Sequence, residues 1–204
     1  MRLILVRHSE THMNKDGLIL GLNGPSLNST GITQARRVAL ALSPERPFVL
    51  YSSPITRAIE TAQAISQVND VPIITLSELG EMDAGKLEGL SGEEARRLYP
   101  DVMGRWAKDP STVVMPGGES LLMVQQRAWK AVQKMSECRQ SEKAVAVTHN
   151  FVILSILCKT LSLPLGSFRR FKLDLGAITT IDVDGENAAI ISVNQRCHLA
   201  ELTH

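Results

Sequence analysis

Four short runs of branched or apolar residues, 2–6, 48–51, 72–75 and 144–147, are separated by stretches whose apolar residues recur at helical spacing. No other feature constrains the fold as much. A strand followed by a crossing helix returns parallel to its predecessor, so the pattern predicts an α/β fold: a mostly parallel sheet with helices on both faces. One helix is expected to begin after Asn28 or Ser29 and to carry Gln34, Ala35, Val38, Ala39 and Leu42 until Pro44 stops it. A second is expected from Pro54, since proline suits a first helical turn, through Ala58, Ala62 and Ile65. A third is expected from Glu119 or Ser120 to about Arg139, and a fourth, buried, from Val152 to Leu161 before Pro164. The tail, 171–184 and 187–193, alternates about the turn Asp184-Gly185-Glu186 and reads as a hairpin closing one sheet edge. The segment 76–118, richer in Gly, Pro and charge, reads as an inserted cap of short helices and loops.

A chain of 204 residues suits a single domain, 1–204. A domain of this size buries about 70% of the surface its unfolded chain exposes, enough to fold without a covalent staple. With 22 basic against 21 acidic residues and a net charge of +1, nothing points to a nucleic-acid partner. Cys138, Cys158 and Cys197 are odd in number and widely spaced, which suggests neither a disulfide framework nor a zinc site and fits a reducing, cytoplasmic setting. No signal peptide is expected, and no apolar run approaches the roughly 18 residues of a membrane span.

Arg7 and His8 directly follow the first strand; Arg57 follows Ser52-Ser53-Pro54; Glu81 lies in the loop after the third strand; His149 follows the strand 144–147. Ligand sites in open α/β sheets form at the carboxyl ends of parallel strands, so these segments should converge. The residue types suit phosphoryl transfer, which depends on positioning and on charge stabilisation. Arg7 and Arg57 would clamp the phosphoryl oxygens, each charge-assisted hydrogen bond contributing roughly 1.5–3 kcal/mol. A neutral His8 nitrogen would attack phosphorus, Glu81 would protonate the leaving oxygen, and His149, if protonated, would add a donor, helped by the amides of the helix it begins. Asn14 would be a neutral donor to the same oxygens. Singly, these residues have plainer readings: Arg7 as a sheet cap, His8 as a core histidine, and Glu81 as one acid beside Glu78, Asp83 and Glu88. His8 and His12 bracket Glu10, but the zinc-protease order His-Glu-x-x-His is missing, so no metal site is expected.

Five ordered motifs then coincide. Val6-Arg7-His8-Ser9-Glu10-Thr11 with Asn14, Ser52-Ser53-Pro54-Ile55-Thr56-Arg57 with Ala58-Ile59-Glu60-Thr61-Ala62, Glu81 four residues before Gly85 with Glu88-Gly89, Pro116-Gly117-Gly118-Glu119-Ser120, and Val147-Thr148-His149 resemble the histidine phosphatase superfamily in its phosphoglycerate-mutase-like branch. The resemblance implies a three-layer α/β/α sandwich and a hydrolase needing no metal or other cofactor. It implies His8 as the phosphorylated nucleophile, Glu81 as proton donor, Arg7, Arg57 and His149 as the phosphate pocket, and Asn14 as an added contact. Where the family has Gln-Gly and a glycine after its second histidine, this chain has Leu20-Gly21 and Asn150, so Gly21 and Asn150 are expected on the substrate-binding rim. Ser9 stands for a frequent glycine, Ser26-Leu27-Asn28 for Pro-Leu-Thr, and Leu87 for a tryptophan.

The expected activity is hydrolysis of a small phosphorylated metabolite through a phosphohistidine, with no nucleic-acid or membrane partner; the resemblance also admits a homodimer. One alternative is a phosphoglycerate mutase, disfavoured because such mutases are generally longer. The other is a phospholigand-binding regulator without turnover, which would need neither nucleophile nor acid. Arg169, Arg170 and Lys172 read as solvated charges, and His198 as part of a loose C-terminus rather than a substrate contact.

Overall fold

The computed structural model describes residues 1–46, 48–137 and 142–202. Six strands, β1 (Arg2–Arg7), β2 (Val49–Ser52), β3 (Ile73–Thr75), β4 (Lys143–Thr148), β5 (Ile178–Asp184) and β6 (Asn187–Gln195), form one sheet in the order β3-β2-β4-β1-β5-β6. The first four pair in parallel, and β5 and β6 extend the β1 edge antiparallel. Seven α-helices accompany them: α1 (His12–Lys15), α2 (Ser29–Leu42), α3 (Thr56–Asn69), α4 (Gly92–Leu98), α5 (Pro100–Lys108), α6 (Leu121–Glu137) and α7 (Asn150–Thr160).

The unbroken apolar runs follow from burial on both faces of the sheet. Successive β1 side chains point to opposite sides: Leu3 and Leu5 join Ala128, Val132, Ile153 and Leu157 of α6 and α7, whereas Ile4 and Val6 join Val38, Ala39, Ala58 and Ala62 of α2 and α3. On β4, Ala144 and Ala146 face the first group, Val145 and Val147 the second. The result is the three-layer α/β/α arrangement that the sequence implied.

Local chemistry adjusts several boundaries. Asn28 caps α2 by accepting the Gly31 N–H at 2.8 Å. The second helix starts at Thr56, two residues after the expected Pro54, because the Ser53 hydroxyl takes the Ile55 N–H into a turn that precedes it. The third starts at Leu121 behind Ser120, whose hydroxyl accepts the Met123 N–H; its described end is Glu137, so Arg139 and Cys138 lie outside the described residues. The hairpin begins at Ile178 rather than Phe171. Residues 171–177 are irregular because their polar backbone groups serve β1: Gly176 N–H donates to the Arg7 carbonyl and Arg7 N–H to that of Ala177.

Within 76–118, α4 and α5 meet at Tyr99, which caps the end of one and the start of the other. Trp106 of α5 meets Phe151 of α7 edge-on at 5.8 Å, which ties this segment to the helix beginning at the end of β4. Cys158 is buried and Cys197 exposed, both as free thiols. Among the described residues no helix is long and apolar enough to cross a membrane.

Candidate active site

Strand register sets the site. Arg7 pairs with Thr148, Ser52 with both Val147 and Thr75, so β1, β4, β2 and β3 end at about one level. Three backbone bonds of 2.9 Å then hold the departing chain: His8 N–H to Thr148, Ser53 N–H to Val147 and Leu76 N–H to Ser52. Thr148 also donates its hydroxyl to the Leu79 carbonyl at 2.6 Å, seating the turn that leads to Glu81. Arg7, His8, Arg57, Glu81 and His149 thus come to one end of the sheet.

His8 is buried, and its Nδ1 lies 2.8 Å from the Ser9 carbonyl. A carbonyl only accepts, so Nδ1 carries the proton and Nε2 holds the lone pair. Arg57 Nε donates to that Nε2 at 3.3 Å. Burial, then the cations Arg57 and Arg7, hold the imidazole well below the ordinary histidine range, so the ring is neutral.

Arg57 is fully buried. Its Nη2 donates to the Gly21 carbonyl at 2.8 Å and its Nη1 to that of Asn23 at 3.2 Å. Gly21 therefore meets the site through its backbone, as a support for Arg57. A Cβ there would lie 2.7 Å from a Glu88 carboxylate oxygen and 3.2 Å from the Ala84 nitrogen, a tight approach that the flexible Glu88 side chain could partly relieve. Arg7 donates Nη1 to the Leu173 carbonyl, while its Nε is buried without a partner among the described residues.

His149 is fully buried at the N-terminus of α7, its ring 5.1 Å from that of His8. The Ser53 hydroxyl, which accepts the Ile55 N–H, lies 2.8 Å from its Nε2. Its Nδ1 is buried and has no hydrogen-bond partner among the described residues. Burial, then His8 and three arginines, keep this imidazole neutral as well, against the protonated form considered from sequence.

Glu81 is buried with Oε1 accepting the Met82 N–H at 2.8 Å. Burial lifts its carboxyl above the usual carboxylate range, against that bond and the pull of Arg57, Arg7 and Arg127. Asn14 sits in α1 with its amide oxygen taken by Thr11, through the N–H at 3.2 Å and the hydroxyl at 2.9 Å. This helix-capping bond fixes the amide, and its Nδ2 donates to none of the described residues. Asn150 is the half-buried first residue of α7. His198, expected in a loose tail, instead lies 3.0 Å from the Gly176 carbonyl through Nε2.

Sequence reasoning missed Arg127. From α6 it donates Nη1 to the carbonyls of Glu78 and Gly80 and Nη2 to that of Glu81, and it forms a two-bond pair with Glu119, both bonds 2.9 Å. Glu119 in turn accepts the Asp83 N–H. The Gly85 and Gly118 backbones approach so closely that a Cβ on Gly118 would overlap the Asp83 carbonyl, and one on Gly85 that of Pro116. The Pro116-Gly117-Gly118-Glu119 motif thus belongs to the bracket around Glu81. A signal was present: Arg127 interrupts the buried stripe of Val124, Ala128 and Ala131. Arg127→Ala should cost about 2–4 kcal/mol of stability, because it strands three carbonyls and the partly buried Glu119 carboxylate. Urea denaturation reads this directly, and a change below about 0.5 kcal/mol, ordinary for surface sites, would contradict the bracket.

The model of the histidine phosphatase superfamily (branch 1) matches residues 3–196. The chain is 32% identical over 201 residues to phosphoserine phosphatase 1 of Hydrogenobacter thermophilus, covering 98% of this chain and 95% of that one. It is 32% identical over 157 residues to the metal-independent phosphoserine phosphatase of Arabidopsis thaliana, covering 76% and 66%. A crystal structure of a phosphoserine phosphatase variant from Entamoeba histolytica in complex with phosphoserine superposes with a TM-score of 0.88 at 25% identity, covering 97% of this chain and 98% of that one.

Proposed function

This chain belongs to the histidine phosphatase superfamily (branch 1) and is a phosphatase, and we propose that it hydrolyses a small phosphomonoester, phosphoserine foremost, through a phosphohistidine on His8. The observation that carries this reading is the His8 ring itself. Its proton is committed to Ser9 and its lone pair sits buried beside Arg57.

The ester's phosphoryl group would enter between Arg7 and Arg57 and accept from His149 Nδ1–H. Electrostatic stabilisation of its equatorial oxygens is the main catalytic resource in such transfers. His8 Nε2 forms the N–P bond as the P–O bond to the leaving group breaks, and Glu81 gives its proton to the departing oxygen. In the second half, Glu81 takes a proton from water, the water oxygen bonds to phosphorus, and the N–P bond breaks. Orthophosphate leaves and Nε2 regains its lone pair. Glu81 also borders a cavity of about 330 Å³ that Leu22, Ser77 and Asp83 line. Asn14 Nδ2 and Asn150 stand at the pocket edge, and the segment 76–118 acts as the cap of a single domain. Similarity to phosphoserine phosphatases over nearly the full chain favours hydrolysis over the mutase reading.

Brief incubation with ³²P-labelled phosphoserine, quenched in alkali, should trap a phosphoprotein that is alkali-stable and acid-labile. A panel of phosphoserine, α-ribazole phosphate, phosphoglycerates and sugar phosphates should give its highest kcat/KM with phosphoserine. Phosphate release without any labelled protein would remove the phosphohistidine, and a preference for another ester would remove the substrate assignment.

A further inference from the structure

The phosphate clamp has a second support, far away in sequence. We propose that Asn194, acting with Asp174, is a positioning residue that sets the orientation of the Arg7 guanidinium; this rests on the clamp role proposed for Arg7. Neither residue is placed against the reacting atoms.

One peptide group links Asn194 to Arg7. Arg7 Nη1 donates to the Leu173 carbonyl at 2.5 Å, which directs the opposite edge, Nε and Nη2, to serve as a two-pronged donor. The Leu173 carbonyl and the Asp174 N–H belong to the same planar amide and point in opposite directions. That N–H donates to Asn194 Oδ1 at 2.7 Å. Turning the plane to withdraw the carbonyl from Arg7 therefore breaks the bond to Asn194. Chained hydrogen bonds of this kind also polarise one another, strengthening the carbonyl as an acceptor.

Asn194 is itself held. Its Nδ2 donates to Asp174 Oδ2 at 2.9 Å, so the two side chains grip each other reciprocally, and Arg196 Nη1 reaches the same oxygen at 2.8 Å. Lys172 Nζ lies 3.4 Å from the other oxygen. Asn194 has φ +56°, in the left-handed region that asparagine tolerates better than most residues, and donates its N–H to Thr179 Oγ1. The register with β5 slips here: Ile178 faces Gln195 but Thr180 faces Ser192, leaving one extra residue on β6. Such a bulge re-aims a side chain, and this one aims Asn194 at residue 174. A plain sheet edge needs neither the extra residue nor the strained φ.

The test uses Asn194→Gly, which accepts the left-handed backbone and removes the amide, together with the exchange Asn194→Asp/Asp174→Asn, which restores an acceptor for the residue-174 N–H and a reciprocal pair. Orthophosphate dissociation constants from titration calorimetry report on the clamp without turnover. Asn194→Gly should weaken orthophosphate binding by about tenfold, within the coupling expected inside one hydrogen-bond network. The exchange should return the constant to within about threefold of wild type, the drift usual for non-interacting changes. In an Arg7→Ala background, Asn194→Gly should have no further effect. An unchanged constant for Asn194→Gly, failure of the exchange to rescue, or an equal loss with and without Arg7 overturns the inference. Orthophosphate binding to Arg7→Ala as tight as to wild type removes the clamp reading itself and this inference with it. The phosphoprotein trap on the wild-type chain tests His8 separately.

Discussion

His8→Ala is expected to lower kcat for every phosphomonoester by about 10⁴-fold or more, the scale seen when a covalent nucleophile is removed from a unit that works together. The expectation follows from the ring's position. Nε2 is a buried lone pair that accepts from Arg57, while the ring beside it, His149, has its own Nε2 against Ser53. With the His8 lone pair removed, the labelled phosphoprotein should vanish with turnover. Steady-state kinetics and the alkaline quench on the same variant check both. A variant that still accumulates acid-labile label would move the phosphoryl acceptor to another residue.

Glu81→Gln should have an effect that depends on the leaving group. Serine leaves as an alkoxide that needs a proton, so hydrolysis of phosphoserine should fall by about 10²- to 10⁴-fold, the usual contribution of a general acid. With p-nitrophenyl phosphate, whose leaving group is stable as an anion, formation of the phosphohistidine should change little. Equal losses in the rate of phosphohistidine formation from both substrates would take the acid role away from Glu81. The pH profile gives the same residue a second signature. Ordinary values of about 4.3 for glutamate and 6.5 for histidine would make a protonated Glu81 beside a neutral His8 a minor species at any pH. Burial moves the two in opposite directions, Glu81 up and His8 down, and both moves favour that species. As pH rises through the raised Glu81 value the acid is lost, so kcat/KM for phosphoserine falls on the alkaline side. As pH falls, His8 takes up its proton only well below the ordinary histidine range. In Glu81→Gln the alkaline limb should disappear and the acid limb remain.

Much of this site was legible along the chain, for a local reason. Arg7, His8 and His149 stand within two residues of where an apolar run ends, and Arg57 stands in the first turn of the next helix, so topology alone brings them to one edge. Glu81 was less legible: it is one of four acids in its stretch of chain, and its spacing to Gly85, within the resemblance, is what separated it from the others. The structure distinguishes it through burial and the Arg127–Glu119 bracket around its backbone. The strand expected from Phe171 failed because alternation in 171–177 resembles a strand, whereas the backbone there is spent on supporting Arg7 and His8. The tail expected to be loose is instead seated, since the bond from His198 to Gly176 joins it to that support.

The kinds of element, their order and the side chains left at strand ends follow from residue order, because side-chain period and turn chemistry act over a few residues. Which nitrogen of His8 is free, that His8 and His149 are neutral, and how Arg7 and Glu81 are held follow from the packed fold. Those properties come from loss of water and from partners distant in the chain, 46 residues from Glu81 to Arg127 and 166 from Arg7 to Leu173. Neither exists until the layers have closed.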